Sequence, residues 1–167
     1  MKRYYFPRKF WSLPGALIVF LFAISASAQV PSIEGTYRLI SRQLPDGTIL
    51  KPPDIMGLWT YTKSNRTFNS VRKDATGKFA SLSLVSTYKL TATEYSETLV
   101  FSIRTDQIGG KDIVYDLLGK TQSAPVKIEG RRIQFKLPFE RPTVMFEGNK
   151  MTATVEGGFV DVWEKVQ

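Results

Sequence analysis

From residue 33 onward, apolar and polar positions alternate in short runs, and most runs end in glycine, proline, asparagine or aspartate. Tyr37, Leu39 and Ser41 fall on one face of a first strand, and Arg38, Ile40 and Arg42 on the other. A two-residue period marks a half-buried strand, and a helix would not produce it. Pro45-Asp46-Gly47 is a turn, and Pro52-Pro53 removes two ladder donors, so residues 43–56 are expected to form a loop.

The same reading continues to the C-terminus. Gly57 to Lys63 forms the second strand, with Trp59 and Tyr61 on one face. Ser64-Asn65-Arg66 turns it into Thr67 to Arg72, and a turn over 74–78 leads to the long strand Phe79 to Leu90. Glu94 to Ile103 returns with Tyr95, Glu97, Leu99 and Phe101 in phase. Residues 106–120 are broken by Gly109-Gly110 and read as a turn of helix or an extended linker. Hairpins follow around Gly130-Arg131 and Gly148-Asn149, and Gly157-Gly158 leads into Phe159 to Val166. Short strands separated by turn residues at these intervals predict an all-β barrel or sandwich with little helix. Eight or nine strands are expected in one domain.

The first 28 residues break the pattern. Lys2, Arg3, Arg8 and Lys9 precede an apolar run from Leu17 to Ile24, and Ala26-Ser27-Ala28 supplies small residues for a cleavage before Gln29. This reads as a secretory leader, its apolar run being short for a spanning helix. The chain is then expected to be exported, to the periplasm in preference to the medium, with no transmembrane segment once the leader is removed. Residues 29–167 form the domain, long enough to bury a core.

Charge and composition narrow the chemistry. The four leader basics lower the net charge from +8 to +4, and the remaining basic residues are scattered. Neither feature suits a nucleic-acid partner, which needs basic residues gathered along one surface. The chain contains no cysteine and no histidine. Ser-His-Asp and Cys-His nucleophiles are thereby excluded, along with the usual zinc, copper and haem ligand sets, and no metal or cofactor is expected. Catalysis would have to run on carboxylates, tyrosine, lysine or arginine.

The order of motifs resembles a known family. Gly35-Thr36-Tyr37-Arg38-Leu39-Ile40-Ser41, then Pro45-Asp46-Gly47, then Gly57-Leu58-Trp59-Thr60-Tyr61-Thr62 and the closing Val162-Trp163-Glu164-Lys165 are similar to the landmarks of the bacterial lipocalin-like domain. The resemblance spans about 33–166. It implies an antiparallel up-and-down β-barrel whose closed end is plugged by Gly35, Tyr37, Trp163 and Lys165. Tyr37 stands where that family usually has tryptophan, and its hydroxyl needs a partner. Lys165 stands where arginine often stacks on the ring, and a lysine lies over a ring less well.

A barrel of about eight strands can be filled by side chains or hold one small ligand. The candidate lining is Trp59, Tyr61, Tyr95, Phe101 and Phe135, joined by the carboxylates Glu97 and Asp161, which share parity with large apolar neighbours. The rings either contact a ligand or fill the core. Glu97 and Asp161 either face inward and require partners, or stand at the rim in water. The leading expectation is non-catalytic binding of a small apolar or amphipathic molecule. An isomerase or hydratase using Glu97 or Asp161, and a solid-core envelope domain that binds a protein, are the alternatives. Lys63, Arg66, Arg72 and Lys73 around one hairpin, with Arg131 and Arg132 at another, are either solvated turn residues or an anion-facing rim.

Overall fold

The computed structural model of the chain describes residues 1, 30–117 and 119–166. The leader expected over 1–28 and its cleavage before Gln29 lie, Met1 apart, outside the described residues. Twelve strands are present among the described residues: β1 (Gly35–Gln43), β2 (Ile49–Leu50), β3 (Ile55–Tyr61), β4 (Asn65–Lys73), β5 (Phe79–Leu90), β6 (Glu94–Asp106), β7 (Lys111–Asp116), β8 (Thr121–Glu129), β9 (Arg132–Lys136), β10 (Thr143–Glu147), β11 (Lys150–Thr154) and β12 (Val160–Lys165). No helix occurs among the described residues.

Ten of these strands close an antiparallel barrel, running β1, β3, β4, β5, β6, β8, β9, β10, β11, β12 and back to β1. Closure removes the free edges that an open sheet of this length would expose. The ring has ten strands where eight or nine were expected, one for each alternating run between the turns. Strand number sets barrel diameter, so ten strands give a wider lumen than eight.

The other two strands lie outside the ring. β2 pairs with the end of β1 at Arg42 and Gln43, inside the stretch expected to be all loop. β7 pairs with the far half of β6, from Ser102 to Asp106, so the stretch expected as a helical turn or linker holds a strand over 111–116. Tyr115, Val114 and Ile113 on β7 are exposed, which is why apolar content there misleads.

Two register shifts decide which side chains face inward. In β6 Leu99 pairs with Ser86 and Phe101 with Val85, leaving Val100 without a partner on β5. A bulge of this kind flips the parity of everything beyond it. Phe101 therefore turns to the outer face, and Ser102, Arg104 and Asp106 take the inner one. In β1 the shift falls between Leu39 and Ser41, which brings Arg42 opposite Asp161 on the inner face.

The core occupies the half of the barrel where β1 begins. Tyr37, Tyr61, Tyr95, Phe135 and Phe146 are buried there, with Ile33, Leu39, Ile133, Val144 and Met151 between them. Tyr95 stacks on Phe135 with centroids 4.2 Å apart, and Phe146 meets Tyr37 and Tyr61 edge-on at 5.6 Å each. Such ring pairs add about 0.5–1.5 kcal/mol each beyond their area.

Of the residues expected to plug this end, Tyr37 and Trp163 are buried and Lys165 is not. The Tyr37 hydroxyl finds its partner by donating to the Ile33 carbonyl at 3.1 Å. Lys165 is exposed, and its stem crosses Gly35, where φ is +140° and a Cβ would collide with the lysine Cε. Glycine is required there by both conformation and space. Trp163 is fully buried but sits further up, over Gly57 and edge-on to Trp59 at 5.4 Å.

Candidate functional site

Above this packed half the lumen opens into a cup of about 640 Å³. Its floor includes Trp59 on β3 and Phe68 on β4, whose rings meet edge-on at 4.8 Å. Leu82, Phe139, Val155 and Phe159 supply apolar wall. Four arginines, Arg42, Arg72, Arg104 and Arg141, also line it, against three carboxylates, Asp106, Glu140 and Asp161. Apolar walls with a few placed charges are what small-molecule sites of 300–1,000 Å³ commonly offer.

Asp161 on β12 and Arg42, its neighbour across the β1–β12 ladder, form a two-pronged ion pair in the wall. Arg42 Nε donates to Asp161 Oδ1 at 2.6 Å and Nη2 to Oδ2 at 2.7 Å. The Arg42 guanidinium also lies 3.7 Å from the centroid of the Phe159 ring. Fork-shaped pairing of this kind fixes orientation as well as charge. Burial pushes the Asp161 carboxyl above the usual range, and the hydrogen bonds and charge of Arg42 pull it back.

Directly beneath the floor lies a second charged group with no access from the cup. Arg66 on β4 and Glu97 on β6 have no exposed side-chain surface, and Arg66 Nη1 donates to Glu97 Oε1 at 2.7 Å. Ser86 Oγ donates to the same oxygen at 2.5 Å, and the Tyr95 hydroxyl to Oε2 at 3.2 Å. Arg66 Nη2 donates to Glu140 Oε1 at 2.9 Å, and its Cζ stands 4.6 Å from the Trp59 ring centroid. Burial works against the Arg66 charge, but Glu140, Tyr61 and Glu97 more than offset it and hold the guanidinium pKa above its ordinary value. Buried charges persist only when paired in this way. Glu140 thus serves both regions, lining the cup and pinning the segment between β9 and β10 to the cluster below.

The sequence-derived candidates separate accordingly. Trp59 and Asp161 line the cup. Tyr61, Tyr95 and Phe135 belong to the packed half, and Glu97 to the cluster under the floor. Phe101 is on the outside. Of the basic residues grouped around the β3–β4 hairpin, Arg72 reaches the cup wall, whereas Arg66, expected in a turn, starts the inward face of β4 and is fully buried. Pattern reading missed Arg42 and Arg104, because both follow a bulge. It also missed Phe68, Phe139 and Glu140. Phe68 was legible, since it pairs with Trp59 and alternates with Arg66. No group of three or more candidate metal-ligating acids occurs among the described residues.

A second depression of about 640 Å³ lies on the outer face of β3, β4 and β5, walled by Arg38, Met56, Leu58, Asn69 and Val71. Met56 and Leu58 are about half exposed there. The chain matches no family model, no curated protein and no solved structure.

Proposed function

We propose that the protein is an exported, lipocalin-like carrier that binds a small, mainly apolar molecule in the cup of its barrel without transforming it. The observation that carries this reading is the cup itself, a ring-floored cavity of about 640 Å³ in a barrel whose other half is solidly packed. The motif order, from Gly35-Thr36-Tyr37 to Trp163-Glu164-Lys165, supports the family resemblance, and the leader-like first 28 residues support export. Both carboxylates considered for catalysis are tied to arginines. Glu97 accepts three hydrogen bonds beneath the floor, and both oxygens of Asp161 are taken by Arg42. Neither stands as a free base in the cavity, which favours binding over proton transfer.

Native mass spectrometry on protein purified gently from its host tests the proposal. A small molecule present at one per chain and released on denaturation is the expected result. A spectrum that stays empty after exposure to a host lipid extract would refute it.

A further inference from the structure

Resting on that reading, we infer that the ligand is an amphipathic anion, with its apolar or aromatic body on Trp59 and Phe68 and its acidic head between Arg72 and Arg104.

The cup's carboxylates are already engaged. Asp161 is held by Arg42, Glu140 by Arg66, and Asp106 accepts the Gly109 amide at 2.9 Å. No carboxylate among the described residues lies within ion-pairing distance of Arg72 or Arg104. These two arginines stand on strands flanking β5, both on its inward side. Arg72 is opposite Ala80, and Arg104 is one row deeper opposite Leu82. Ser70 shares the row of Arg104 and adds a hydroxyl to the same wall. Asp106 stands across Ala80 in the row of Arg72, with its Oδ1 taken by the Gly109 amide. Arg141, in the segment between β9 and β10, is likewise without an ion pair among the described residues; Arg72 and Arg104, fixed on the strand ladder beside an aromatic floor, form the site for one acidic head and one flat or aliphatic body.

The placement of the bulge makes this arrangement. Had strict alternation continued past Leu99 with no bulge, Phe101 and Ile103 would face the cup and Arg104 the outside.

The test uses two fluorescent probes of nearly the same shape, 1-anilinonaphthalene-8-sulfonate and its neutral counterpart N-phenyl-1-naphthylamine. Each is titrated into the protein, into the double variant R72Q/R104Q and into R38Q, which alters the outer depression instead. The readout is the ratio of the two affinities, with far-UV circular dichroism showing that each variant is folded. The sulfonate should bind at least tenfold more tightly than the amine. R72Q/R104Q should remove about tenfold of its affinity, the scale of a lost charged hydrogen bond, while R38Q should leave the ratio unaltered. Equal binding of both probes, or a ratio indifferent to R72Q/R104Q, would overturn the anion and leave the cup standing. A ratio that falls in R38Q would overturn it in favour of the outer face. Failure of both probes to bind would overturn the cup as well.

Discussion

Arg66 and Glu97 face each other across three strands at 2.7 Å, with no exposed surface on either side chain. Ser86 lies between them on β5 and hydrogen-bonds the same carboxylate oxygen, so the pair is built into the ladder of β4, β5 and β6. Removing one member of a buried pair leaves the other's charge uncompensated, at a cost of about 3–5 kcal/mol. Arg66→Met should therefore lose that much stability in urea unfolding. Arg66→Met/Glu97→Leu should recover part of it, since the unpaired buried carboxylate is gone. A single variant within 1 kcal/mol of the parent would mean that water reaches the cluster.

The bulge at Val100 makes two neighbouring apolar residues unequal. Leu99 is buried inside the barrel, whereas Phe101 pairs with Val85 on the outer face. Leu99→Ala should cost about 2–5 kcal/mol, the range for deleting a core leucine. Phe101→Thr should cost less than about 1 kcal/mol, because a β-branched residue suits an outer strand position. Denaturant midpoints of the two variants decide the matter. A larger loss for Phe101→Thr would restore it to the interior and remove the bulge.

These two features show what pattern reading can reach. Tyr37 and Trp163 entered as plug residues through the resemblance; alternation grouped Trp59 with Tyr61 and named Tyr95 and Phe135 as candidate lining, because strand parity survives wherever the ladder is regular. It failed just past Leu39 and Leu99, where one extra residue inverts the faces and leaves no compositional mark. Arg66 was hidden differently. Its neighbours Ser64 and Asn65 are turn formers, and a charge beside a turn ordinarily stays in water. Only the carboxylates of Glu97 and Glu140, 31 and 74 residues away, make its burial tolerable. The cup shared that obscurity, since Arg42, Arg104 and Glu140 come together only through closure of the ring.

Gly57 and Trp163 are matched in shape. A Cβ at Gly57 would lie 2.7 Å from the far edge of the Trp163 ring and 3.2 Å from the Asn69 carbonyl, too close for either to go undisturbed. Trp163 is also packed against Trp59 and Phe68, so its ring has little freedom to withdraw. Gly57→Ala should destabilise the barrel by about 1–3 kcal/mol through overpacking. Trp163→Phe in the same chain should relieve much of that added cost, because the shorter ring vacates the contested edge. Additive losses in this double-mutant cycle would show that the two positions do not touch.

The tyrosines of the packed half should govern alkaline stability. Burial pushes the Tyr37 hydroxyl up to about 12. Tyr88 reaches about 12 as well, chiefly through burial and secondarily through Glu34 and Tyr37. Tyr61 and Tyr95 are raised too, burial again being the largest cause. In the unfolded chain these groups ionise near pH 10. Between about pH 10 and 12 the folded state therefore holds more protons than the unfolded one, and stability falls as pH rises. Below pH 10 this contribution is fully present. Urea midpoints should accordingly be flat from pH 8 to 9.5 and decline steeply above 10. Phenolate absorbance at 295 nm from these four rings should appear only as the barrel opens. Tyr88→Phe removes one of the four and should make the decline shallower, at the cost of the hydrogen bond its hydroxyl donates to the Thr62 carbonyl at 2.6 Å. Ionisation of all the tyrosines near pH 10, with the circular dichroism of the folded barrel unchanged, would show that solvent reaches these rings.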